Sequence, residues 1–164
     1  MITITVPSGV KAQVSENEII VEGPKGKVSK SFNPHQISIE KSEEGLVLKS
    51  EDISLLNTFK SHIYNMIKGV TEGHTAKMRV VYSHFPINLE VRDGVLVIKN
   101  FLGEKVPRKA KIVGNTKLDI KGQEIFISGT NKEHVGQTVS NIRAAVRIPG
   151  KDCRVFQDGI YLEG

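Results

Sequence analysis

Basic side chains are the residues of this 164-residue sequence whose types and spacing suit a chemical role. They concentrate in two stretches of the second half. The stretch Lys99–Lys111 contains one acid, Glu104, and the stretch Arg143–Arg154 contains one acid, Asp152. Glycine and proline interrupt both, so part of each is a loop from which cations can reach phosphate groups. The cations concerned are Lys99, Lys105, Arg108, Lys109, Lys111, Arg143, Arg147, Lys151 and Arg154.

Aromatic residues accompany the second basic stretch. Phe156 and Tyr161 follow it closely, and aromatic rings beside cations are typical of surfaces on which nucleic-acid bases stack. Arg143 and Arg147 are four residues apart, so they share a face if a helix continues through them. Solvated surface charge explains the composition of both stretches equally well.

Signatures of catalysis and of metal binding are scarce. The sequence has no phosphate-binding Gly-Lys-Ser/Thr loop and no Gly-x-Ser-x-Gly elbow, and its five histidines lack ligand spacing. His84 and Asp158 are the only candidate bases near the basic loops, which leaves a nucleotide- or polyphosphate-acting enzyme as the weaker alternative. A protein scaffold that binds through an exposed sheet edge is a third hypothesis. We expect no catalytic residue, cofactor, metal or small-molecule substrate.

Composition points to a cytoplasmic protein with no membrane partner. The single cysteine, Cys153, excludes an internal disulfide and a four-cysteine zinc site, and it suits a reducing compartment. The longest apolar runs have four or five residues, whereas a membrane span needs about twenty. The first ten residues lack the pattern of a signal peptide.

A Gly-x-x-Gly sequence occurs at Gly23-Pro24-Lys25-Gly26. It is similar to the loop with which KH domains clamp a nucleic-acid backbone, but that loop joins two helices. Both flanks here have the apolar alternation of strands. The segment is therefore predicted to be a hairpin turn.

The elements that must position these residues occur twice in the same order. Short alternating strands fill the first fifty residues, and a helix with Phe59, Ile63, Met66 and Val70 on one face follows. Strands then recur, and a second helix repeats that face 76 positions later. Its apolar residues are Val135, Val139, Ile142 and Val146. Recurrence of strands and helix in one order predicts an internal duplication.

The duplication predicts an α+β fold with two small domains, residues 1–82 and 83–164, each an antiparallel sheet packed with one helix. The connector is expected at Ser83-His84-Phe85-Pro86. The net charge of +5 divides into +1 for the first domain and +4 for the second. A partner of negative charge is therefore expected to bind the second domain.

Four segments closely resemble the universal large-subunit ribosomal protein six family, and the resemblance covers nearly the whole chain. They are NMIKGVTEG at residues 65–73, MRVVYSHFPI at residues 78–87, NFLGEK at residues 100–105 and VFQDGIY at residues 155–161. The ending lacks the Lys-Gly-Lys-Gly loop of bacterial members and is similar to that of archaeal and eukaryotic members. The short length favours the archaeal type.

The resemblance implies a structural, non-enzymatic protein of the large ribosomal subunit. It implies duplicated α+β domains and binding of large-subunit ribosomal RNA near the sarcin–ricin loop and the base of the factor-binding stalk, mainly by the second domain. Neighbouring ribosomal proteins at the stalk base are expected partners. The implied RNA contacts are the segment 101–111 and the loop 150–154 with Phe156, Gly159 and Tyr161. The segment Asn65–Gly73 is assigned to the helix end and to interdomain packing.

Overall fold

The described part of the chain, residues 1–82 and 85–163, contains thirteen strands, two α-helices and a short 3-10 turn, Phe101–Gly103, in a computed structural model. The helices are α1 (Ile53–Thr71) and α2 (Lys132–Ala145). The strands are β1 (Ile2–Thr5), β2 (Lys11–Val14), β3 (Glu18–Gly23), β4 (Gly26–Ser31), β5 (Ser38–Ser42), β6 (Gly45–Lys49), β7 (His74–Val81), β8 (Asn88–Arg92), β9 (Val95–Lys99), β10 (Arg108–Lys111), β11 (Lys117–Lys121), β12 (Glu124–Gly129) and β13 (Gly159–Glu163).

The first of two units contains residues 1–74 and 130–132. Its strands form two antiparallel sheets, in the orders β1-β6-β5 and β2-β3-β4. Helix α1 packs against strands of both sheets. The apolar faces of all three layers meet in one core, whose fully buried members include Ile4, Ile19, Leu46, Leu48 and Ile63.

Residues at both ends of helix α1 fix where it begins and ends. The Asp52 carboxylate accepts the backbone N–H groups of Ser54 and Leu55, which satisfies donors that the first turn leaves unpaired. Gly73 follows the helix with a φ of +83° and donates its N–H to the Lys68 carbonyl. The predicted apolar face is confirmed, because Phe59, Ile63, Met66 and Val70 are all buried.

The second unit contains residues 75–129 and 133–163. Its strands form one sheet in the order β10-β9-β8 and a second in the order β11-β12-β7-β13. Helix α2 buries Val135, Val139 and Ile142 in a second core, with Val146 just beyond its last residue. Strands β7, β9, β12 and β13 supply the facing side chains, among them Met78, Leu96, Ile98, Ile125, Ile127 and Ile160.

The two units repeat one plan, which confirms the duplicated α+β fold. The order β1-β6-β5 corresponds to β7-β12-β11, and β2-β3-β4 corresponds to β8-β9-β10. Each unit therefore has two sheets around its helix, where the sequence analysis expected one. Strand β13 is an addition, because nothing in the first unit's sheets corresponds to it.

Strand β7 starts the second repeat. The expected limit after residue 82 assigns all of β7 to the first domain, but β7 pairs with β12 and β13 of the second unit. Met78 and Val80 need an apolar layer to cover them, and the core around α2 provides it. The domain limits 1–82 and 83–164 stay a prediction. A limit drawn by this sheet order would lie before β7 rather than after it. Of the expected connector, Ser83 and His84 lie outside the described residues.

The Gly-x-x-Gly segment is a hairpin turn, as predicted. Gly23 ends β3 and Gly26 begins β4, and the two residues face each other in the strand register. Gly26 has a φ of +148°, which only glycine adopts readily. Among the described helices, neither is long and apolar enough to cross a membrane.

Candidate nucleic-acid interface

An open groove of about 440 Å³ lies in the second unit. It is lined by residues of the second basic stretch and by residues that precede and follow it in the sequence. The C-terminal half of α2 lines one side, and β13 with the loop before it lines the other. The groove collects five of the expected site residues, which are Arg143, Arg147, Phe156, Gly159 and Tyr161.

Two arginines form the helical side of the groove. Arg143 lies in the last turn of α2, and Arg147 lies two residues beyond its end at Ala145. The helix does not continue to Arg147 as a regular helix, yet the chain stays close to it, because the N–H of Arg147 donates to the Ala144 carbonyl at 3.4 Å. Both side chains are exposed and form no ion pair with another described residue. Their charges are therefore available to a phosphate.

Asp152 organises the loop on the other side of the groove. Its carbonyl accepts the N–H groups of Val155 at 3.0 Å and Phe156 at 2.8 Å. Its carboxylate accepts the Arg154 side chain, with Nε at 3.2 Å and Nη2 at 3.1 Å, and the Arg154 N–H at 2.9 Å. These hydrogen bonds hold the pKa of Asp152 below its usual range. The Arg154 side chain is still 88% exposed, so its outer face remains open to solvent.

Lys151 lies over an aromatic ring. Its Nζ is 4.8 Å from the centroid of the Phe156 ring, a cation–π contact. Lys151 is exposed and Phe156 is partly buried. The ring therefore holds the ammonium group near the groove, where it adds to the positive charge of the two arginines.

Gly159 lies beside the Tyr161 side chain. Gly159 is buried and lies two residues before Tyr161 on β13, so the two residues face the same side of the strand. A Cβ at position 159 would lie 3.4 Å from the Tyr161 hydroxyl oxygen. That hydroxyl donates to the Gln157 carbonyl at 2.8 Å, and 46% of Tyr161 is exposed. The hydrogen bond to Gln157 thus holds the tyrosine ring at a fixed place in the groove, in ordinary contact distance of position 159.

The cations of the first basic stretch are divided among different surroundings. Lys99 donates a hydrogen bond to Glu90 at 2.9 Å. This bond and, as the second cause, a hydrogen bond from Arg92 hold the pKa of Glu90 below its usual range. Lys105 is exposed in the loop before β10. Lys109 and Lys111 alternate with buried Ala110, so they project from the outer face of their sheet.

Arg108 differs from the other cations because its guanidinium is occupied by groups of the protein. Nε and Nη2 donate to the two carboxylate oxygens of Glu104 at 2.9 and 2.6 Å. Nη1 donates to the carbonyls of Ala145 at 3.0 Å and Arg147 at 2.7 Å. Only 21% of the side chain is exposed. The hydrogen bonds from Arg108 lower the pKa of Glu104.

Two side chains tie the first basic stretch to the second. Arg108 reaches the end of α2, and Asn141 of α2 donates through Nδ2 to the Lys111 carbonyl at 2.9 Å. Strand β10 therefore lies beside α2, although about 37 residues separate the partners in sequence. Sequence reasoning missed this link. No local spacing could signal it, because the partners are 30 to 39 residues apart in sequence.

Besides the five residues above, the groove contains Cys153 of the implied RNA-contact loop, the candidate base Asp158, and Ser140, which the sequence assigned to no site. Asp158 is 2% exposed. His84, the other candidate base of the enzyme alternative, lies outside the described residues. Within the residues that the structure describes, no group of three His, Cys, Asp or Glu side chains could hold a metal ion.

A family model and individual relatives among known proteins point to the same family. The family described as "Ribosomal protein L6" matches residues 6–73 and 85–159. The large ribosomal subunit protein uL6 of Methanobrevibacter smithii is 46% identical, over 97% of this chain and 92% of the relative. Those of Methanosarcina mazei and Natronomonas pharaonis are 46% and 42% identical, over 98% and 97% of this chain and 94% and 93% of their own lengths.

These relatives carry the names of ribosomal proteins and not of enzymes, and all three span nearly the same length as this chain. The family match falls in two stretches, which include most of the two structural repeats. The resemblance carried by the four sequence segments is thereby confirmed. The chain belongs to the ribosomal protein L6 family.

Proposed function

We propose that this protein is a structural, non-enzymatic component of the large ribosomal subunit in the cytoplasm. Its second unit binds large-subunit ribosomal RNA near the sarcin–ricin loop and the base of the factor-binding stalk. Neighbouring ribosomal proteins at the stalk base are its other partners. The names of the relatives support the assignment to the large subunit.

The observation that carries RNA binding by the second unit is the groove between α2 and β13. Arg143 and Arg147 lie on one side of it without carboxylate partners among the described residues, and Phe156 and Tyr161 lie on the other. Cations neutralise backbone phosphates, and an aromatic ring offers a face to an unstacked base. A groove with both kinds of side chain suits RNA better than it suits a protein partner.

The test compares two pairs of exposed cations in the full chain. Affinity for a fragment of large-subunit ribosomal RNA that contains the sarcin–ricin loop and the stalk base is measured over a range of salt concentrations. Lys151→Ala with Arg154→Ala is expected to weaken binding and to lower the salt dependence, log K against log salt, by about 0.7–0.9 for each phosphate that the variant no longer neutralises. The matched control, Lys11→Ala with Lys25→Ala in the first unit, is expected to change neither.

Equal losses from the two pairs would contradict binding through the second unit. An affinity that hardly changes with salt would contradict recognition through phosphates altogether. The location within the subunit needs a separate measurement, crosslinking of the protein in intact large subunits. Crosslinks from the second unit to the sarcin–ricin loop or the stalk base are expected, and crosslinks only to other RNA regions would refute the location.

A further inference from the structure

Arg108 was expected to contact RNA, but its side chain is built into the protein. A guanidinium has five N–H donors, and four hydrogen bonds from Arg108 end on Glu104, Ala145 and Arg147. Its central carbon lies 4.5 Å from the centroid of the Phe101 ring, and Phe101 is 1% exposed. A phosphate would therefore find at most one free donor on a largely desolvated group.

The bonds from Nη1 fall at the point where the chain leaves α2. The last carbonyls of a helix have no partner within the helix, and the helix dipole makes this end negative. Arg108 donates to the carbonyl of Ala145, the last helical residue, and to that of Arg147. One positive planar group thus fixes the direction in which residues 145–147 leave the helix. Arg147 is one of the two groove cations.

The other side of Arg108 is held by a preformed turn. Asn100, Leu102 and Gly103 have φ values of +61°, +54° and +74°, and this backbone path points Phe101 into the core. Asn100 donates through Nδ2 to the Pro86 carbonyl at 3.0 Å. The turn then brings Glu104 to the guanidinium, where it accepts two hydrogen bonds. The conformation of Arg108 is therefore set before any ligand arrives.

We infer that Arg108 is a positioning residue for the RNA-binding groove, one that holds Arg147 in place and makes no RNA contact itself. The inference rests on the proposed function. Its specific content is that Arg108 acts through Arg147. Lysine cannot replace it, because an ammonium group lacks the planar fork that spans a carboxylate and two carbonyls at once.

The test is a double-mutant cycle on RNA affinity with the full chain, below the melting temperature of each variant. Arg108→Lys keeps the charge and is expected to weaken binding about tenfold. In an Arg147→Ala background the same change is expected to cost less than about twofold, because the side chain it positions is absent. Arg92→Lys, the same change at an arginine that is 65% exposed and lies outside the candidate interface, is the matched control and should leave affinity unchanged.

A second variant changes Glu104, the acidic partner of Arg108. Glu104→Gln removes one negative charge, so a direct contact of Arg108 with phosphate should become stronger. The positioning role predicts the opposite, a loss of about two- to threefold, because the bidentate pair is broken. A purely structural role would shift the melting temperature and leave the affinity of the folded protein unchanged.

The outcomes separate the inference from the proposed function. If the unaltered chain binds the RNA and the effects of Arg108→Lys and Arg147→Ala are additive, the positioning role is refuted and the RNA interface stands. The positioning role is also refuted if Arg108→Lys binds as tightly as the unaltered chain, or if Glu104→Gln binds more tightly. If the unaltered chain does not bind the RNA, the proposed function fails and the inference fails with it.

Discussion

Cations of one type have different roles in this protein because their immediate partners differ. Arg154 is 88% exposed beside Asp152, whereas the Arg108 side chain is 21% exposed and makes four internal hydrogen bonds. The sequence reveals that both are arginines near glycine and proline. It does not reveal their partners, because the carbonyls that Arg108 binds lie 37 and 39 residues away. Residue roles at this site depend on the fold.

The stabilisation of the fold by the Glu104–Arg108 pair depends on pH. Its pKa is lowered by hydrogen bonds from Arg108, so the carboxylate stabilises the fold above its unfolded-state pKa and ceases to do so as the pH falls through the folded-state pKa. We expect Glu104→Gln to lower the melting temperature at neutral pH and to have little effect in acid below the carboxyl range. Thermal denaturation against pH measures this.

An exposed ion pair supplies the control for that experiment. Asp119 lies 3.8 Å from Lys121, and both side chains are at least 66% exposed. Exposed pairs contribute little, so Asp119→Asn should shift the melting temperature only slightly at any pH. A difference between the Glu104→Gln variant and the unaltered protein that stayed constant down to strong acid would contradict the assigned cause.

Two substitutions of Tyr161 distinguish stacking by its ring from hydrogen bonding by its hydroxyl group. Its hydroxyl is directed back to the Gln157 carbonyl at 2.8 Å, so the ring is the part available to RNA. We expect Tyr161→Ala to weaken RNA binding by about 1–3 kcal/mol, the usual value of one stacked base. Tyr161→Phe keeps the ring and should retain nearly all of the affinity, as measured by RNA titration. Equal losses in the two variants would show that the hydroxyl, not the ring, contributes the affinity.

At the scale of elements, periodicity predicted the helices well and the sheet partners poorly. Spacings of three and four residues identified the buried faces of α1 and α2, because a helix face depends on local geometry alone. The apolar residues of β7 are typical of a strand but do not identify the sheet that it joins. Met78 and Val80 fit any apolar layer, and only the fold shows that they cover the core of the second unit.

Two helical glycines are predicted to respond oppositely to the same substitution. A Cβ on Gly69 of α1 would lie 1.8 Å from the backbone oxygen of Thr130, whereas a Cβ on Gly136 of α2 would meet nothing within 4 Å. Gly69→Ala should lower the free energy of unfolding by about 1–3 kcal/mol or more through overpacking. Gly136→Ala should raise it by up to about 1 kcal/mol, because alanine restricts the unfolded chain and favours the helix.

Chemical denaturation of the two variants checks the prediction. Each is the control for the other, since the chemical change and the helical setting are the same. Stabilisation by Gly69→Ala would mean that Thr130 does not hold the position described. Destabilisation by Gly136→Ala would show that this helix position is not open.

At the scale of the whole molecule, the division into two repeats could be predicted, because apolar faces recur at a fixed offset. The charge division, +1 for residues 1–82 and +4 for residues 83–164, could also be predicted. The groove could not. Its two sides come from α2 and from β13, and β13 has no counterpart in the first unit whose position could serve as a guide. A strand added after the second repeat therefore distinguishes the second unit, and it supplies one side of the groove through which we propose that RNA binds.

That difference leads to a prediction about where RNA stabilises the protein. Ile63 and Ile142 are fully buried residues of α1 and α2, and they belong to hydrophobic cores that share no residue. Where two units unfold separately, a ligand stabilises the unit that binds it, by about 2.7 kcal/mol at a concentration of 100 Kd. Amide hydrogen exchange should therefore slow at Ile142 when the RNA fragment is added and stay unchanged at Ile63. The effect should vanish in the Arg143→Ala, Arg147→Ala double variant, and undiminished slowing in that variant would refute binding through the groove.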